Sequence, residues 1–171
     1  MRRVSIIQGE HAVVSEPNTV ITTLLGSCIA VCLQDPVARV GGMNHFLLGE
    51  PGPGDALGSA ELQRYGVHAM ELLINAMMAR GAVRGRMRAH LYGGATMVAG
   101  LGSIGSANAA FAQRFVRTEG IAIGHVDTGG VRARKVEFQP YEGRARAIFV
   151  AEAPPPAPAP ALADGGDLEL F

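Results

Sequence analysis

The hydrophobic and polar positions between Thr22 and His45 predict a β-hairpin. Residues 28–33 are mostly apolar and rich in β-branched side chains, and residues 39–48 form a second apolar run that glycines interrupt. Between these runs, Asp35-Pro36 supplies the chemistry of a tight turn. We therefore predict two neighbouring antiparallel strands, and the rest of the chain is interpreted around them.

The turn also sets the predicted register of the hairpin. If it is centred between Pro36 and Val37, Cys28 lies directly opposite His45. Directly opposed residues lie on the same side of a sheet, with Cβ atoms about 5 Å apart. We therefore expect a cysteine nucleophile beside its base, with a neighbouring imidazolium lowering the pKa of the thiol.

Small and hydroxyl-bearing residues surround this predicted pair. Gly26 and Gly41-Gly42 would leave the backbone uncovered, as the approach of a bulky substrate requires. The hydroxyls of Thr22, Thr23 and Ser27 are near enough in sequence to orient the imidazole or to donate to an oxyanion. From these residues alone, a buried structural cysteine and a satisfied core histidine remain the alternative, because unpaired cysteine is commonly buried.

The rest of the pattern alternates short strands with two helices. One helix is predicted over residues 60–79 with Ser59 as its cap, and a second over residues 107–118 with Ser106 or Asn108 near its start. The further strands are predicted at residues 4–8, 12–14, 88–92, 121–126, 131–139 and 145–150. This order predicts an α/β fold in which helices cover one side of a sheet.

Length and charge narrow the class of protein. The 171 residues fit one domain, predicted over residues 1–150, and the net charge of zero gives no reason to expect nucleic acid or an anionic membrane as partner. Cys28 and Cys32 are the only cysteines, and four residues along one strand separates them by about 13 Å, too far for a disulfide. No apolar run is long enough to span a membrane. We therefore expect a reduced, cytoplasmic protein without direct membrane insertion.

Several other patterns suggest functions that we weigh against simpler explanations. The glycines of residues 100–105 match the dinucleotide-binding pattern, but they fall past mid-chain in a Gly-rich context, so we interpret them as a loop. The two cysteines lack the matched ligand spacing of a zinc site, so neither a metal nor a cofactor is expected. Arginines cluster between the first long helix and the next strand, either as solvated charge or as a docking surface for an acidic partner: Arg80, Arg84, Arg86 and Arg88.

The C-terminal region changes composition. Residues 151–166 are rich in proline and alanine and predict an extended linker. Residues 167–171, Asp-Leu-Glu-Leu-Phe, are either a short motif that docks a partner or an unstructured end.

Two motifs of the hairpin resemble the signature of the CheD family of bacterial chemotaxis proteins. They are G-S-C-I-A-V-C-L-Q-D-P, which contains Cys28, and G-G-M-N-H-F-L-L, which contains His45. Further matches follow in order, and the resemblance covers about residues 2–150: Gly93-Gly94-Ala95-Thr96-Met97, Ile104-Gly105 with Asn108, Asp127-Thr128-Gly129-Gly130, and Arg134-Lys135-Val136. The chain departs from the family at Leu48-Gly49-Glu50-Pro51 and in the loop 104–108, where substrate contacts are affected rather than the chemistry.

This resemblance implies an activity and a site. It implies a protein-glutamine glutaminase, a hydrolase that deamidates glutamines of methyl-accepting chemotaxis receptors through a cysteine thioester. Cys28 would be the nucleophile, His45 the base and Thr22 the third member of the site, while Gly26, Ser27 and Asn44 are candidates for binding substrate or the oxyanion. The resemblance also implies a layered β-sandwich, with mixed or antiparallel sheets and helices on one side, similar to the catalytic domain of cytotoxic necrotising factor toxins.

The same resemblance implies partners and alternatives. A chemoreceptor deamidase would be recruited to receptor arrays, with a CheC-type phosphatase as a further partner. An adaptor that binds receptors or such a phosphatase, with weak or lost catalysis, is the alternative from another class. A general thiol hydrolase acting on small amides or esters is the third hypothesis.

Overall fold

Two β-sheets and a layer of helices build the domain. The computed structural model describes residues 1–48, 58–97 and 103–151. The strands are β1 Arg2–Ser5, β2 His11–Val14, β3 Thr19–Leu25, β4 Ile29–Asp35, β5 Val40–Asn44, β6 Arg88–Gly93, β7 Ala122–Thr128, β8 Arg134–Gln139 and β9 Arg144–Phe149. The helices are α1 Gly58–Met78 and α2 Ser103–Thr118, and a short 3₁₀ turn spans Arg84–Arg86.

The strands form one four-stranded and one five-stranded sheet. The four-stranded sheet has the order β1-β3-β8-β9, and the five-stranded sheet has the order β2-β5-β4-β6-β7. Two pairs are parallel, β1 with β3 and β6 with β7, and the others are antiparallel. The expected mixed or antiparallel layers with helices on one side are therefore confirmed.

The central strand β4 shows why the layers stack in this way. Its side chains alternate, and all of the apolar ones are buried. Ile29, Val31 and Leu33 pack on the helix side, whereas Ala30 and Cys32 face the space between the two sheets. A strand that is apolar on both faces is typical of a sheet that is covered on both sides.

The register of the hairpin differs from the prediction by two residues. Asp35 pairs with Val40, so four residues form the turn, and the Asp35 carboxylate accepts hydrogen bonds from the N–H groups of Val37 and Ala38. Arg39 closes the turn with a φ of 59°. Because side chains alternate with a period of two, a slip of two leaves every residue on its predicted face.

Several predicted boundaries are corrected. Strand β1 ends at Ser5, before the predicted segment 4–8 is complete. Helix α1 already includes Ser59, and α2 begins at Ser103, so Asn108 lies inside the helix rather than at its cap. The family departure at residues 49–51, the glycines predicted as a loop at 100–102 and the linker and tail beyond residue 151 lie outside the described residues.

The predicted basic cluster is tied into the fold by ion pairs. Arg84 bonds Glu71 at 2.8 Å and Glu119 at 2.7 Å. Arg86 bonds Asp35, whose side chain is fully buried. These two arginines therefore have structural partners, which weakens the interpretation of the cluster as a docking surface. Among the described residues, no helix combines the length and apolar character needed to cross a bilayer.

Candidate active site

The segment Gly26–Cys28 joins β3 in one sheet to β4 in the other, and its carbonyl groups are fixed to the body of the domain. Each carbonyl accepts one hydrogen bond: Gly26 from the Ala95 N–H at 3.0 Å, Ser27 from Asn108 Nδ2 at 2.8 Å and Cys28 from the Gly94 N–H at 2.8 Å. Among the described hydrogen bonds, none is donated by the N–H of Ser27 or of Cys28. The segment thus offers N–H groups beside the thiol that suit an oxyanion.

A glycine pair holds this segment in place. Gly93 has a φ of 113°, and a Cβ at this position would collide with the Cys28 carbonyl oxygen. Gly94 has a φ of 68°, and a Cβ there would come within 2.8 Å of the Gly105 carbonyl oxygen of α2. Both positions therefore require glycine, for conformation and for close approach.

The His45 imidazole is oriented by Thr23. The Thr23 hydroxyl lies 2.7 Å from His45 Nδ1, and it donates its single proton to the Ile6 carbonyl, also at 2.7 Å. A hydroxyl that donates elsewhere accepts from the ring, so Nδ1 carries the ring proton. Burial lowers the pKa of His45 to about 4. Neutral and protonated on Nδ1, the ring keeps a free lone pair on Nε2, as a general base requires.

Cys28 lies on the same side of the five-stranded sheet as His45. The hairpin register continues through the bridge between Ile29 and Phe46, which puts Ala30 opposite His45 and makes Cys28 a diagonal neighbour of the histidine. Diagonal neighbours in a ladder are about 7–8 Å apart, within reach of long side chains. The predicted pairing on one face holds, and the predicted direct opposition is wrong.

Burial, not charge, controls the Cys28 thiol. It is 9% exposed, and burial raises the pKa of the thiol to about 12. The expectation of an imidazolium that lowers this pKa is therefore corrected, because both groups are enclosed and neutral. The thiol donates to Gln8 Oε1 at 3.7 Å.

Thr22 does not hold the His45 ring. Its hydroxyl lies 3.1 Å from the Ser5 hydroxyl, and Thr23, the next residue along β3, makes the bond to the imidazole. Successive side chains of a strand point to opposite faces, so only one of these two threonines can face His45. The prediction that Thr22 fixes the ring is corrected in favour of Thr23.

Asn44 likewise faces away from the thiol. Its side-chain oxygen accepts from the Val31 N–H at 3.0 Å, and its side-chain nitrogen lies 3.4 Å from Met70 Sδ of α1. Asn44 is 2% exposed. It supports the hairpin from the helix side, and its suggested role in binding substrate is not supported by this geometry.

The glycines of β5 have structural roles. A Cβ at Gly41 would meet Pro140 at 2.8 Å, and one at Gly42 would meet the Ala12 carbonyl oxygen at 2.7 Å. These positions allow close packing within the domain, so the expectation that they open a path for substrate is corrected. The other predicted candidates, Gly26 and Ser27, lie in the segment Gly26–Cys28, where Gly26 is buried and Ser27 is half-buried.

Three residues at the site were not assigned from the sequence. Gln8 contacts the thiol. Tyr65 of α1 is also close to Cys28, because the pKa of Tyr65 is raised first by burial and then by electrostatic repulsion from Cys28. Asn108 is fully buried and joins the Ser27 carbonyl to the Leu48 N–H. The only signal in the sequence was Asn108, a polar residue within an apolar helical face.

The arrangement fits attack by a thiol on an acyl carbon. It contains a cysteine, a histidine with a free nitrogen, an orienting hydroxyl and N–H groups beside the sulfur. Across residues 1–48, 58–97 and 103–151, no group of three His, Cys, Asp or Glu side chains is placed to hold a metal.

Comparisons with known proteins agree on one family. A family model described as CheD chemotactic sensory transduction matches residues 48–147. A probable chemoreceptor glutamine deamidase CheD of Zymomonas mobilis is 51% identical over 99% of this chain and 93% of its own length. Proteins of the same name from Caulobacter and Agrobacterium fabrum are 50% and 54% identical, over 99% and 85% of this chain and over 93% and 78% of their own lengths.

Two solved structures align with parts of this chain. A Neisseria meningitidis protein of family DUF152 covers 87% of this chain and 74% of its own chain, at 12% identity and a TM-score of 0.49. Bacillus licheniformis YfiH covers 68% of this chain and 49% of its own, with a TM-score of 0.39. The expected similarity to cytotoxic necrotising factor toxins is not confirmed by these structures.

Proposed function

Because this chain belongs to the CheD family, we propose that it deamidates glutamine side chains of methyl-accepting chemotaxis receptors to glutamate. The names of the relatives support a chemoreceptor glutamine deamidase. The observation that carries the proposal is the His45 ring, which Thr23 holds through Nδ1 on the same sheet face as the Cys28 thiol. Cys28 acts as nucleophile, His45 as base and Thr23 as the residue that positions the ring.

The first half of the reaction forms a thioester and releases ammonia. His45 Nε2 takes the thiol proton as Cys28 Sγ attacks the amide carbon, and the carbonyl oxygen becomes an oxyanion. The N–H groups of Ser27 and Cys28 stabilise that oxyanion. Hydrogen bonds from Asn108 and Gly94 to the carbonyl groups of these two residues hold the segment in position. The tetrahedral intermediate collapses as the C–N bond breaks, and the imidazolium gives its proton to the departing ammonia.

The second half hydrolyses the thioester. Neutral His45 takes a proton from water, which attacks the same carbon, and the C–S bond then breaks. The thiolate recovers the proton from the imidazolium, and the product is a glutamate. No net proton or electron is consumed by the enzyme, and none of these steps uses a metal or a cofactor.

The neutral resting pair determines how the first step proceeds. With the pKa of Cys28 raised to about 12 and that of His45 lowered to about 4, proton transfer from sulfur to nitrogen is unfavourable before substrate binds. Proton transfer therefore accompanies attack on the amide. Such coupling confines reactivity to the bound substrate.

We place this reaction in the cytoplasm, at chemoreceptor arrays. The receptor is the substrate, a CheC-type phosphatase is a further partner, and residues 167–171 dock one of these proteins. The zero net charge supports a protein partner over nucleic acid. The domain 1–150 carries the chemistry, and residues 151–166 link it to the tail.

Mass spectrometry of a receptor fragment tests this function. Incubation with wild type is expected to add about one dalton at each deamidated glutamine through the thioester route, and Cys28→Ala is expected to add none. Cys32→Ala is the matched control, because Cys32 lies on the same face of β4 but is fully buried. Equal gains with wild type and Cys28→Ala would reject the proposal.

One observation favours an adaptor as the second candidate. Cys28 is only 9% exposed, which suits a domain that binds a receptor without reacting with it. Retained receptor binding with no gain in mass from the wild-type protein would favour this alternative. Turnover of free glutamine or small esters would instead support a general thiol hydrolase.

A further inference from the structure

The side chain that accepts a hydrogen bond from the nucleophile is itself a glutamine. The Cys28 thiol donates a hydrogen bond to Gln8 Oε1 at 3.7 Å. Gln8 carries the same carboxamide group as the substrate assigned under the proposed function. A carboxamide oxygen at the sulfur takes space that the amide of an incoming glutamine requires.

The segment that carries Gln8 is fastened on both sides of the site. The Ile6 N–H donates to the Thr22 carbonyl at 3.0 Å, which holds the segment to the four-stranded sheet. The Gly9 N–H donates to the His45 carbonyl at 2.8 Å, and the His45 N–H donates to the Glu10 carbonyl at 3.1 Å. Gln8 therefore lies on a strap, residues 6–10, that crosses from β1 in one sheet to β2 in the other.

The contact also affects the thiol proton. A thiol has one proton, so a thiol that donates to Gln8 does not donate to His45 Nε2 at the same time. Gln8 is half-buried and helps to enclose Cys28, which is 9% exposed. Removing or displacing this carboxamide would both open the sulfur and release its proton toward the base.

We propose that the Gln8 side chain blocks access to the Cys28 sulfur in the resting enzyme and that a substrate glutamine must displace it. The inference depends on the proposed function only for the identity of the substrate. The closed state favours protein substrates that make further contacts beside Gln8, where Ile7 is 66% exposed. Small amides, which offer no such contacts, displace Gln8 poorly.

Alkylation of Cys28 by iodoacetamide tests the closure without requiring deamidation. Gln8→Ala is expected to speed alkylation by about three- to ten-fold, the range that loss of one neutral hydrogen bond allows. Gln8→Glu is expected to slow it, because a carboxylate accepts the thiol proton more strongly and raises the pKa of the thiol. Peptide mass spectrometry localises the label, and the fully buried Cys32 is the internal control.

The kinetics of deamidation give the second readout. Gln8→Ala is expected to lower KM for the receptor fragment several-fold and to leave kcat undiminished, because the substrate no longer competes with Gln8. Gln113→Ala is the matched control, since Gln113 lies on α2 and its side chain bonds only Arg117 among the described contacts. Thermal unfolding of each variant confirms that the domain remains folded.

Three outcomes would overturn the proposal. Alkylation that changes less than about two-fold in both Gln8 variants would show that Gln8 does not close the site. A fall in kcat at constant KM for Gln8→Ala would make Gln8 an oxyanion donor instead. A Gln8 that gains about one dalton in wild type but not in Cys28→Ala would be a substrate of the thioester chemistry rather than a closure.

The test separates this proposal from the proposed function. Deamidation that survives Cys28→Ala rejects the function, whereas the alkylation rates still report on the closure. Alkylation that is insensitive to Gln8, with deamidation lost in Cys28→Ala, rejects only the closure.

Discussion

At the nucleophile, Cys28 and His45 are 9% and 6% exposed. Burial disfavours the charged form of both groups, which raises the pKa of the thiol and lowers the pKa of the imidazole. A thiolate–imidazolium ion pair would shift both pKa values the other way, lowering that of the thiol and raising that of the imidazole. The sequence supported the pairing of the two residues but not their protonation states, because those depend on the depth at which the fold buries them.

The neutral pair predicts how alkylation of Cys28 varies with pH. Because the pKa of Cys28 is raised to about 12, its thiolate fraction grows about tenfold per pH unit between pH 7 and 10. The alkylation rate measured at constant reagent is therefore expected to rise across this whole interval. A plateau below pH 7 would reveal a thiolate–imidazolium pair and contradict the neutral pair.

The threonine pair on β3 allows a matched test of positioning. Thr23→Val removes the hydroxyl that bonds both His45 and the Ile6 carbonyl, so kcat for receptor deamidation is expected to fall by about ten-fold or more. Among the described hydrogen bonds, Thr22→Val removes only the one with Ser5, so its kcat is expected to stay near that of wild type.

A third variant, together with these two, distinguishes positioning of the ring from a general structural effect. Thr23→Ser retains the hydroxyl and is expected to recover most of the activity. If Thr22→Val lost more activity than Thr23→Val at equal thermal stability, the assignment of the ring partner to Thr23 would be wrong.

At the scale of the elements, the hairpin was predictable because its information is local. Apolar runs and Asp35-Pro36 identified both strands and the turn, and the alternation of side chains kept Cys28 and His45 on one face. The length of the turn was missed because Arg39 adopts a φ of 59°, a conformation that the sequence does not predict for arginine. The contacts of Asn108 with Ser27 and Leu48 were missed because they join distant segments.

The glycine pair after β6 gives a prediction at this scale. Gly93→Ala places a Cβ against the Cys28 carbonyl oxygen at a φ of 113°, so it must shift the nucleophile segment. We expect a loss of about 2–4 kcal/mol in the free energy of unfolding, from backbone strain together with the collision. Denaturant unfolding measures this loss, and deamidation is expected to fall with it.

Gly81→Ala separates conformational strain from the collision. Gly81 has a φ of 100° but nothing lies within 4 Å of a Cβ there, so only the strain remains, at a cost of about 1 kcal/mol. Equal losses for the two variants would show that the contact between Gly93 and Cys28 contributes nothing.

For the whole molecule, the site depends on parts of the chain that are far apart in sequence. Thr23 comes from one sheet, His45 from the other, and the segment with Cys28 links them, while Asn108 reaches it from α2. Local patterns predict the elements but not which strands share a sheet, so the α/β class was predictable and the division into two sheets was not. The resemblance to the CheD family supplied the layered arrangement.

The distribution of the core predicts what removal of the tail will do. Both hydrophobic clusters are built from residues between Val4 and Ala147, so the described core needs nothing beyond residue 151. A chain shortened to residues 1–150 is therefore expected to keep its Tm within about 2 °C, a change of less than roughly 1 kcal/mol. It should also deamidate a soluble receptor fragment at the wild-type rate.

If residues 167–171 dock a partner, deamidation of intact receptor arrays is expected to slow in two variants. These are the shortened chain and a full-length chain in which these five residues are scrambled. Both would slow because the effective concentration of the enzyme at the array falls. A fall in Tm of more than about 5 °C would instead show that the tail packs against the domain and stabilises it.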